Sequence, residues 1–366
     1  MNRKDEKMRA AIIGCGRIAK NHVEAIAANR DKLRLEAVCD PIEERAREIA
    51  RQYEAAGFPK PEVFADYRKA LLEGKADMAS ICTESGTHAR ISIDCMRMGK
   101  HVIVEKPMAL STPDADEMIA AAEENGVKLC VCHQNRFNPP VLKLREALEE
   151  GRFGRLIAGS AKILWNRNQG YYAQAPWRGT YQQDGGCLMN QCIHDIDLLQ
   201  WMLGGEMSWL HGETENYLHP YIEGEDYGSI QIKFKNGAVG NVEGTVCVYP
   251  HNLQETLTIL GETGTVVIGG LAVNKIMVWD FKDKKDDLET VSQDHDSDVK
   301  NVYGNGHAPL YRNMLDAVET GGEPLVNGRE GKKSVEIVLG AYRSSFDGAR
   351  VSFPLEKIAS TDFRRK

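Results

Sequence analysis

"MRAAIIGCGRIAKNH", residues 8–22, places an apolar run directly before a G-x-G-x-x-A sequence. Gly14 permits a tight turn, and Gly16 lets the backbone approach the pyrophosphate of a dinucleotide, which rests on the N-terminus of the following helix. Ala19 allows that helix to pack closely on the strand. The stretch therefore predicts a strand, a dinucleotide-binding turn and a helix. The predicted ligand contacts in this turn are Gly14, Gly16, Arg17 and Ile18.

The first third of the chain continues the alternation of strands and helices. LRLEAVCD, ADMASICTE, HVIVEKP and KLCVCHQN are apolar runs separated by helical stretches such as PIEERAREIARQYEAAG. Continuous apolar strands between helices indicate a parallel sheet covered on both faces, with right-handed crossovers. We expect residues 1–132 to form a doubly wound Rossmann domain, which makes the fold class α/β.

Asp40 closes the second apolar run of this domain. A carboxylate at that position accepts hydrogen bonds from the adenosine ribose hydroxyls and repels a 2′-phosphate, which favours NAD over NADP. The alternative is a plain strand–turn–helix glycine motif with Asp40 as a surface acid.

The pattern changes after residue 132. RLIAGSAKILW, YGSIQIKF and GAVGNVEGTVCVY are longer strands, joined by hairpin signals such as Asn236-Gly237. We expect residues 133–366 to form an α+β domain for substrate binding and oligomerisation, with an open, mostly antiparallel sheet. The charged stretch 281–301 is expected to be a loop or an exposed edge. Helices packed on one sheet face are expected at 188–203, 308–320 and 330–346.

Composition disfavours several classes of function. The 366 residues carry a net charge of −7 and no basic block, so nothing favours binding of nucleic acid or of an anionic membrane. Neither a secretory leader nor an apolar run long enough to cross a membrane is predicted. The nine cysteines lack a framework spacing, and we expect reduced core residues of a cytoplasmic protein and no metal site.

Glu105-Lys106-Pro107 ends the apolar run HVIVEKP. The carboxyl ends of strands in doubly wound sheets face the ligand crevice. A lysine there can orient a hydroxyl or stabilise a developing carbonyl oxygen, so Lys106 is a candidate catalytic residue. A surface lysine at the start of a loop is the alternative.

The stretch GGCLMNQCIHDIDLLQWMLGG, residues 185–205, predicts one helix with two different faces. Asn190, His194 and Asp197 gather opposite the apolar side, at spacing i, i+4 and i+7, and Trp201 falls on the same stripe. An ordinary solvated face is one interpretation. Because a tryptophan is unusual in open solvent, we interpret the stripe as a wall of the active site, with His194 as an acid–base candidate and Asp197 able to orient it.

The segment WNRNQGYYAQAPWRGTYQQDGG, residues 165–186, is dense in aromatic and polar residues but has little strand or helix pattern. Its aromatic rings can stack on sugar or base rings, and its arginines can pair bidentately with a carboxylate or phosphate. An oligomer interface has a similar composition and is the alternative. The candidate substrate contacts in this segment are Asn166, Arg167, Tyr172 and Arg178.

These motifs together resemble the Gfo/Idh/MocA oxidoreductase family, over nearly the whole chain. The resemblance implies an NAD-binding domain, a second open-sheet domain and often a homotetramer. It also implies hydride transfer from a sugar or cyclitol hydroxyl, with Lys106 and His194 as the catalytic residues. The remaining motifs that carry it are T-x-x-x-x-H at 83–88, GKHVIVEKP at 99–107, HQNRF at 133–137 and G-G-x₇-H-x-x-D at 185–197. The further cofactor contacts it implies are Thr83, His88, Glu105 and Lys106.

Asn190 stands where the family often has an aspartate, which puts a Lys-Asp-His relay in doubt. This departure and the 165–186 segment resemble one branch, the WlbA-like UDP-N-acetylglucosaminuronate 3-dehydrogenases of surface-polysaccharide synthesis. That resemblance implies oxidation of the sugar C3 hydroxyl, a nucleotide-sugar substrate held in part by Lys106, Asn190 and His194, and NAD recycled by 2-oxoglutarate.

Two other functions stay open from the sequence alone. One is an inositol or free-sugar dehydrogenase of the same family, since these members share most of the motifs. The other is a nicotinamide-binding regulator without turnover, although Lys106 and His194 argue against it.

Overall fold

The computed structural model describes residues 7–299 and 301–364. The chain forms two compact units. Of the described residues, the first unit contains those up to Ala109, Asp114–Cys132 and His307–Gly331, and the second contains Leu110–Pro113, those within His133–Gly306 and those from Lys332 onward. The chain returns to the first unit at His307–Gly331. The predicted division after residue 132 did not include this return.

The first unit is built on a parallel sheet in the order β3-β2-β1-β4-β5-β6. The central strand β1 pairs with β2 on one side and β4 on the other, so Ala10 lies between Leu35 and Met78. All three side chains are buried, as continuous apolar strands require. The predicted Rossmann sheet is confirmed, and a short strand, β3, adds to the predicted set. The strands are β1 (Met8–Ile13), β2 (Leu33–Cys39), β3 (Glu62–Phe64), β4 (Met78–Ile81), β5 (His101–Val104) and β6 (Leu129–Val131).

The second unit is built on a larger sheet in the order β13-β12-β11-β7-β10-β9-β8-β14. Its pairs are antiparallel except for β7 with β10. One row across the sheet joins Leu257, Ala161, Val242 and Ile230, and all four are buried. The predicted mostly antiparallel sheet is therefore confirmed. Its strands are β7 (Leu156–Leu164), β8 (Met207–Glu215), β9 (Tyr227–Phe234), β10 (Val239–Thr245), β11 (Gln254–Gly261), β12 (Gly264–Gly269), β13 (Lys275–Phe281) and β14 (Val351–Ser352).

The helices predicted at 308–320 and 330–346 form at His307–Thr320 and Gly328–Asp347, but the first of them belongs to the first unit, where it packs on the helix at Ala19–Ala28, and not, as predicted, on the second sheet. No helix among the described residues is both long enough and apolar enough to cross a membrane. The helices are α1 (Ala19–Ala28), α2 (Glu43–Ala55), α3 (Tyr67–Leu72), α4 (His88–Arg97), α5 (Thr112–Glu124), α6 (Pro139–Glu149), α7 (Gln169–Tyr172), α8 (Cys187–Asn190), α9 (Ile193–Met202), α10 (Leu288–His295), α11 (His307–Thr320) and α12 (Gly328–Asp347).

The expected single helix at 188–203 is wrong. The chain forms a one-turn helix, α8, and then the longer helix α9, with Gln191 and Cys192 between them. The amide of Cys192 bonds the carbonyl of Cys187, five residues back, instead of continuing the i−4 ladder. Asn190 and His194 consequently belong to two different helices.

The expected loop at 281–301 is also only partly right, because it contains α10. Asp287 caps this helix by accepting a hydrogen bond from the Thr290 amide. Leu288 and Val291, spaced by three residues, give it a narrow apolar side, and Val291 is buried. Because most residues of this stretch are charged or polar, these two apolar residues were too few to predict a helix.

Candidate active site

The glycine turn of the first unit leaves room for a ligand on one side only. Gly14 has a φ of +90°, and a Cβ there would lie 2.7 Å from backbone atoms of Cys82 and Thr83. A Cβ on Gly16, in contrast, would meet nothing within 4 Å. The first glycine is thus required by the fold, and the second opens the backbone to an approaching group at the start of α1.

Asp40 lies beside this turn at the carboxyl end of β2. One of its oxygens accepts a hydrogen bond from the Cys15 amide and the other from the Ile42 amide, both at 2.8 Å. The carboxylate therefore fixes the turn and places a negative charge next to it. An open turn at a helix N-terminus and a neighbouring carboxylate fit NAD, whose pyrophosphate the 14–18 backbone would hold and whose ribose Asp40 would bind.

His88 holds the next two strand ends together. Its Nδ1 lies 2.8 Å from the Pro107 carbonyl oxygen and its Nε2 lies 3.1 Å from the Thr83 carbonyl oxygen. The ring is buried, and burial lowers the pKa of His88. Both nitrogens face protein carbonyls, so His88 positions Thr83 and the residues after β5.

Lys106 lies two residues after the end of β5, at the carboxyl edge of the sheet, and is half-buried. Its backbone amide donates to Oε2 of Glu105 at 3.2 Å, and the Lys106–Pro107 peptide bond is cis. The structure thus places Lys106 at the edge that the sequence predicted for it.

His194 is the second residue of α9 in the second unit and is half-buried. Its ring packs edge-on against His133, with 5.5 Å between the ring centroids. His133 in turn lies 3.1 Å from the hydroxyl of Ser334 through its Nε2. His194 is thereby held at the start of the helix by a neighbouring ring.

The predicted polar stripe on α9 does not form as expected. Asp197 and Trp201 are both buried, and Asp197 is ion-paired with Arg136. The Trp201 ring lies 4.7 Å from the Arg136 guanidinium carbon and 4.9 Å from that of Arg145. This half of the stripe is therefore part of the core, and the interpretation of it as an active-site wall is wrong for these two residues.

A hydrogen-bond network links the aromatic segment to the end of α8. The Tyr171 hydroxyl accepts from Arg178 at 2.6 Å and from the Gln191 side chain at 2.8 Å. Gln191 also donates to the Asn190 side-chain oxygen, and the Asn190 amide donates to Asp184. The structure thus brings two predicted substrate residues, Arg178 and Asn190, into one network.

The other predicted substrate residues of this segment make contacts that hold the segment in place within the second unit. Asn166 donates to the Val248 carbonyl at 2.5 Å. The Arg167 guanidinium carbon lies 4.7 Å from the Trp165 ring centroid. Tyr172 is buried against the rings of His219 and Tyr221, so its ring anchors the segment.

His219 is an anchor that sequence reasoning missed. Its Nδ1 lies 2.7 Å from an Asp226 carboxylate oxygen, and its Nε2 lies 2.6 Å from the Arg167 carbonyl. Burial lowers the pKa of His219, but the interactions with Asp226, Cys247 and the Arg167 carbonyl together outweigh burial and raise the pKa to about 10. A doubly protonated ring donates to both acceptors. No local motif marks this pair.

Two buried acids near His194 were also missed. Burial raises the pKa of Asp195 to about 8 and raises the pKa of Glu255, on β11, well above its usual value. Neither oxygen of Asp195 has a hydrogen-bond partner among the described residues. Asp195, which follows His194 in the sequence, is thus protonated at neutral pH. This follows from the burial of α9 against the sheet and has no signal in the sequence.

Two family descriptions match the sequence. "Oxidoreductase family, NAD-binding Rossmann fold" of the Gfo/Idh/MocA family matches residues 8–133, and "GFO/IDH/MocA C-terminal domain" matches residues 141–267. The chain belongs to the Gfo/Idh/MocA oxidoreductase family. It is accordingly an NAD-dependent sugar or polyol dehydrogenase.

Solved structures of this family resemble the chain over almost its full length. The WlbA dehydrogenase from Bordetella pertussis, in complex with NADH and UDP-GlcNAcA, is 37% identical, with a TM-score of 0.85, and the match covers 96% of this chain and 99% of that one. The enzyme of the same name from Chromobacterium violaceum, with the same ligands, is also 37% identical, with a TM-score of 0.86 and coverage of 96% and 98%.

Curated relatives are more distant in sequence. Scyllo-inositol 2-dehydrogenase (NAD(+)) from Bacillus subtilis is 24% identical over 359 residues, which cover 96% of this chain and 98% of the relative. Myo-inositol 2-dehydrogenase from Thermotoga maritima is 25% identical over 341 residues, covering 92% and 96%.

Proposed function

We propose that this enzyme oxidises the C3 hydroxyl of UDP-N-acetylglucosaminuronate to the 3-keto sugar with NAD as the hydride acceptor. The observation that carries the proposal is the 37% identity, over 96% of the chain, to two enzymes crystallised with NADH and UDP-GlcNAcA. Assembly as a homotetramer, a place in surface-polysaccharide sugar synthesis and cofactor recycling by 2-oxoglutarate belong to the same proposal.

Lys106 and His194 are assigned to the reaction. Lys106 or His194 takes the hydroxyl proton as hydride leaves C3, a contribution of roughly 10²–10⁴ in rate for a positioned base. The lysine also stabilises negative charge on the oxygen. His194 has support from its fixed ring position against His133.

The network around Tyr171 is assigned to the substrate. Arg178 supplies a guanidinium fork that matches a uronate carboxylate, and the Tyr171 hydroxyl orients it from one side. Asn190, held by Asp184 and Gln191, supplies an amide for a sugar hydroxyl. Arg167 is the second candidate for the carboxylate.

An inositol or free-sugar dehydrogenase is the second candidate function. The curated relatives with those activities favour it, at 24–25% identity over more than nine tenths of the chain. Because the relatives are dehydrogenases, they disfavour a non-catalytic regulator.

A substrate panel tests the proposal. The purified enzyme is given NAD⁺ with UDP-GlcNAcA, UDP-GlcNAc, myo-inositol, scyllo-inositol or glucose, and NADH is followed by its fluorescence. We expect kcat/KM for UDP-GlcNAcA to exceed that for every free polyol at least a hundredfold. A higher kcat/KM for an inositol would replace the proposal with the second candidate.

A further inference from the structure

Glu105 is the centre of a buried polar cluster in the first unit. His22, Tyr311 and Ser80 are fully buried, and Glu105 and His307 are nearly so. His22 Nε2 lies 2.9 Å from Glu105 Oε1, and the amide of Lys106 donates to Oε2 at 3.2 Å.

The hydrogen bonds of this cluster run in one direction. A carboxylate only accepts, so His22 Nε2 carries a proton and donates to Glu105. Burial lowers the pKa of His22, so the ring is neutral and its Nδ1 accepts from the Tyr311 hydroxyl at 2.7 Å. Tyr311 then accepts from Ser80 at 2.5 Å. His22 is therefore satisfied at both nitrogens without carrying charge.

Glu105 keeps its negative charge in this environment. Burial alone would raise the pKa of its carboxyl, but the interactions with His22 and His307 outweigh burial and hold the pKa well below its usual value. Because His22 is neutral, it stabilises the carboxylate without cancelling the charge. A fixed negative charge thus lies at the carboxyl end of β5.

The same region brings together four possible metal ligands, His22, Glu105, Cys132 and His307, whose ligand atoms lie within 4.8 Å of one another. The separation of 2.9 Å between His22 and Glu105 is that of a hydrogen bond. Two ligands of a tetrahedral zinc ion lie about 3.3 Å apart at the usual bond lengths. Since both nitrogens of His22 are already engaged, the cluster is better described as a hydrogen-bonded carboxylate than as a metal site.

We propose that the Glu105 carboxylate biases the bound cofactor toward its oxidised form. In a doubly wound sheet with the adenosine ribose on Asp40, the nicotinamide half of NAD lies over the half formed by β4, β5 and β6. The nicotinamide ring is positive in NAD⁺ and neutral in NADH. A buried negative charge on that half attracts only the oxidised ring and is weakly screened by salt. The inference rests on NAD binding alone and does not depend on which sugar is the substrate.

Binding of the two cofactor forms tests the inference without turnover. Bound nucleotide is removed, and the Kd values for NAD⁺ and NADH are measured by calorimetry for the wild type, Glu105→Gln and Glu105→Asp. The glutamine can still accept from His22 but carries no charge. We expect Glu105→Gln to weaken the binding of NAD⁺ relative to that of NADH by about tenfold, equivalent to about 1.4 kcal/mol. Glu105→Asp keeps the charge and should stay within threefold of the wild-type ratio.

Two further variants complete the test. Glu48→Gln removes an exposed glutamate of α2 and should leave the ratio unchanged. If Glu105→Gln does not fold, His22→Leu removes the main hydrogen bond that keeps Glu105 ionised and should shift the ratio in the same direction.

A Glu105→Gln ratio within twofold of wild type, with NADH binding intact, would overturn the inference. Stoichiometric zinc in the purified protein would overturn it too, because the metal would neutralise the carboxylate. A protein inactive on UDP-GlcNAcA that shows the expected ratio supports it.

Discussion

Arg136 and Asp197 form a bidentate ion pair in the core of the second unit, with Nε–Oδ2 and Nη2–Oδ1 distances of 2.7 Å. Both side chains are completely buried. Arg136 belongs to the HQNRF motif and Asp197 to the H-x-x-D motif, so the pair joins two conspicuous sequence features. The aspartate of H-x-x-D is consequently committed to an arginine, and the hypothesis that it orients His194 loses its support.

Removal of one member of this pair should strongly destabilise the second unit. Arg136→Met leaves the Asp197 carboxylate buried without its counter-charge, which costs about 3–5 kcal/mol. Urea unfolding measures the change. The double variant Arg136→Met/Asp197→Leu has no unpaired charge and should recover most of that loss. A loss below about 1 kcal/mol for the single variant would contradict the assigned role.

The stabilisation of the fold by the His219–Asp226 pair should decrease as the pH becomes alkaline. The folded pKa of His219 is raised to about 10, so its contribution is complete below the unfolded pKa of about 6.5 and is lost as the pH rises toward 10. The Tm difference between wild type and His219→Gln should therefore be largest near pH 6.5 and shrink toward pH 10. The exposed His251→Gln serves as control. A difference that is constant with pH would show that His219 acts by packing alone.

Ionisation of Asp195 should destabilise the fold at neutral and mildly alkaline pH. The folded pKa of Asp195 is raised to about 8, mainly by burial, so the unfolded chain gains stability relative to the folded one as the pH rises from about 4 to 8. Asp195→Asn removes this ionisation. We expect its Tm to exceed that of wild type by a few degrees at pH 8, with the gain absent near pH 4. Asp280→Asn, an exposed control, should show no such trend. A Tm gain at pH 4 equal to that at pH 8 would refute the explanation.

Arg178 should determine selectivity for the uronate. Arg178→Lys keeps the positive charge but loses the two-pronged fork and the geometry of its bond to Tyr171. We expect KM for UDP-GlcNAcA to rise about tenfold, with a smaller change in kcat. The preference over UDP-GlcNAc should fall by the same factor. Arg155→Lys, at an exposed position of the second unit, is the matched control. An unchanged preference for UDP-GlcNAcA over UDP-GlcNAc would assign the contact with the uronate carboxylate to Arg167 instead.

The glycine turn could be predicted because its requirements are local. The positive φ of Gly14 and the open space at Gly16 follow from a tight turn between a strand and a helix, and both residues stand in one short motif. The same holds for the hairpin at Asn236-Gly237, where Gly237 has a φ of +94°. Apolar runs also predicted many strands of both sheets, but not β8 or β13, although each of these strands has a buried face.

Features that depend on distant residues could not be predicted in this way. The break between α8 and α9 follows from backbone bonding around Cys192, and the burial of Asp197 follows from Arg136, 61 residues away in the chain. The charge on Glu105 depends on His22 and on His307, which the returning segment brings into the first unit. Pairings across such separations have no periodic signature.

Isotope transfer shows whether hydride leaves C3 of UDP-GlcNAcA and whether Lys106 and His194 are needed for that step. The enzyme is incubated with NAD⁺ and UDP-GlcNAcA that carries deuterium at C3, and the nicotinamide is analysed by mass spectrometry. We expect deuterium to appear in the reduced nicotinamide with the wild type. The double variant Lys106→Met/His194→Asn should transfer it at least a thousandfold more slowly. A wild-type reaction that leaves the deuterium on the sugar would rule out hydride transfer from C3. A double variant that transfers it at a near-normal rate would rule out Lys106 and His194 as the acid–base residues.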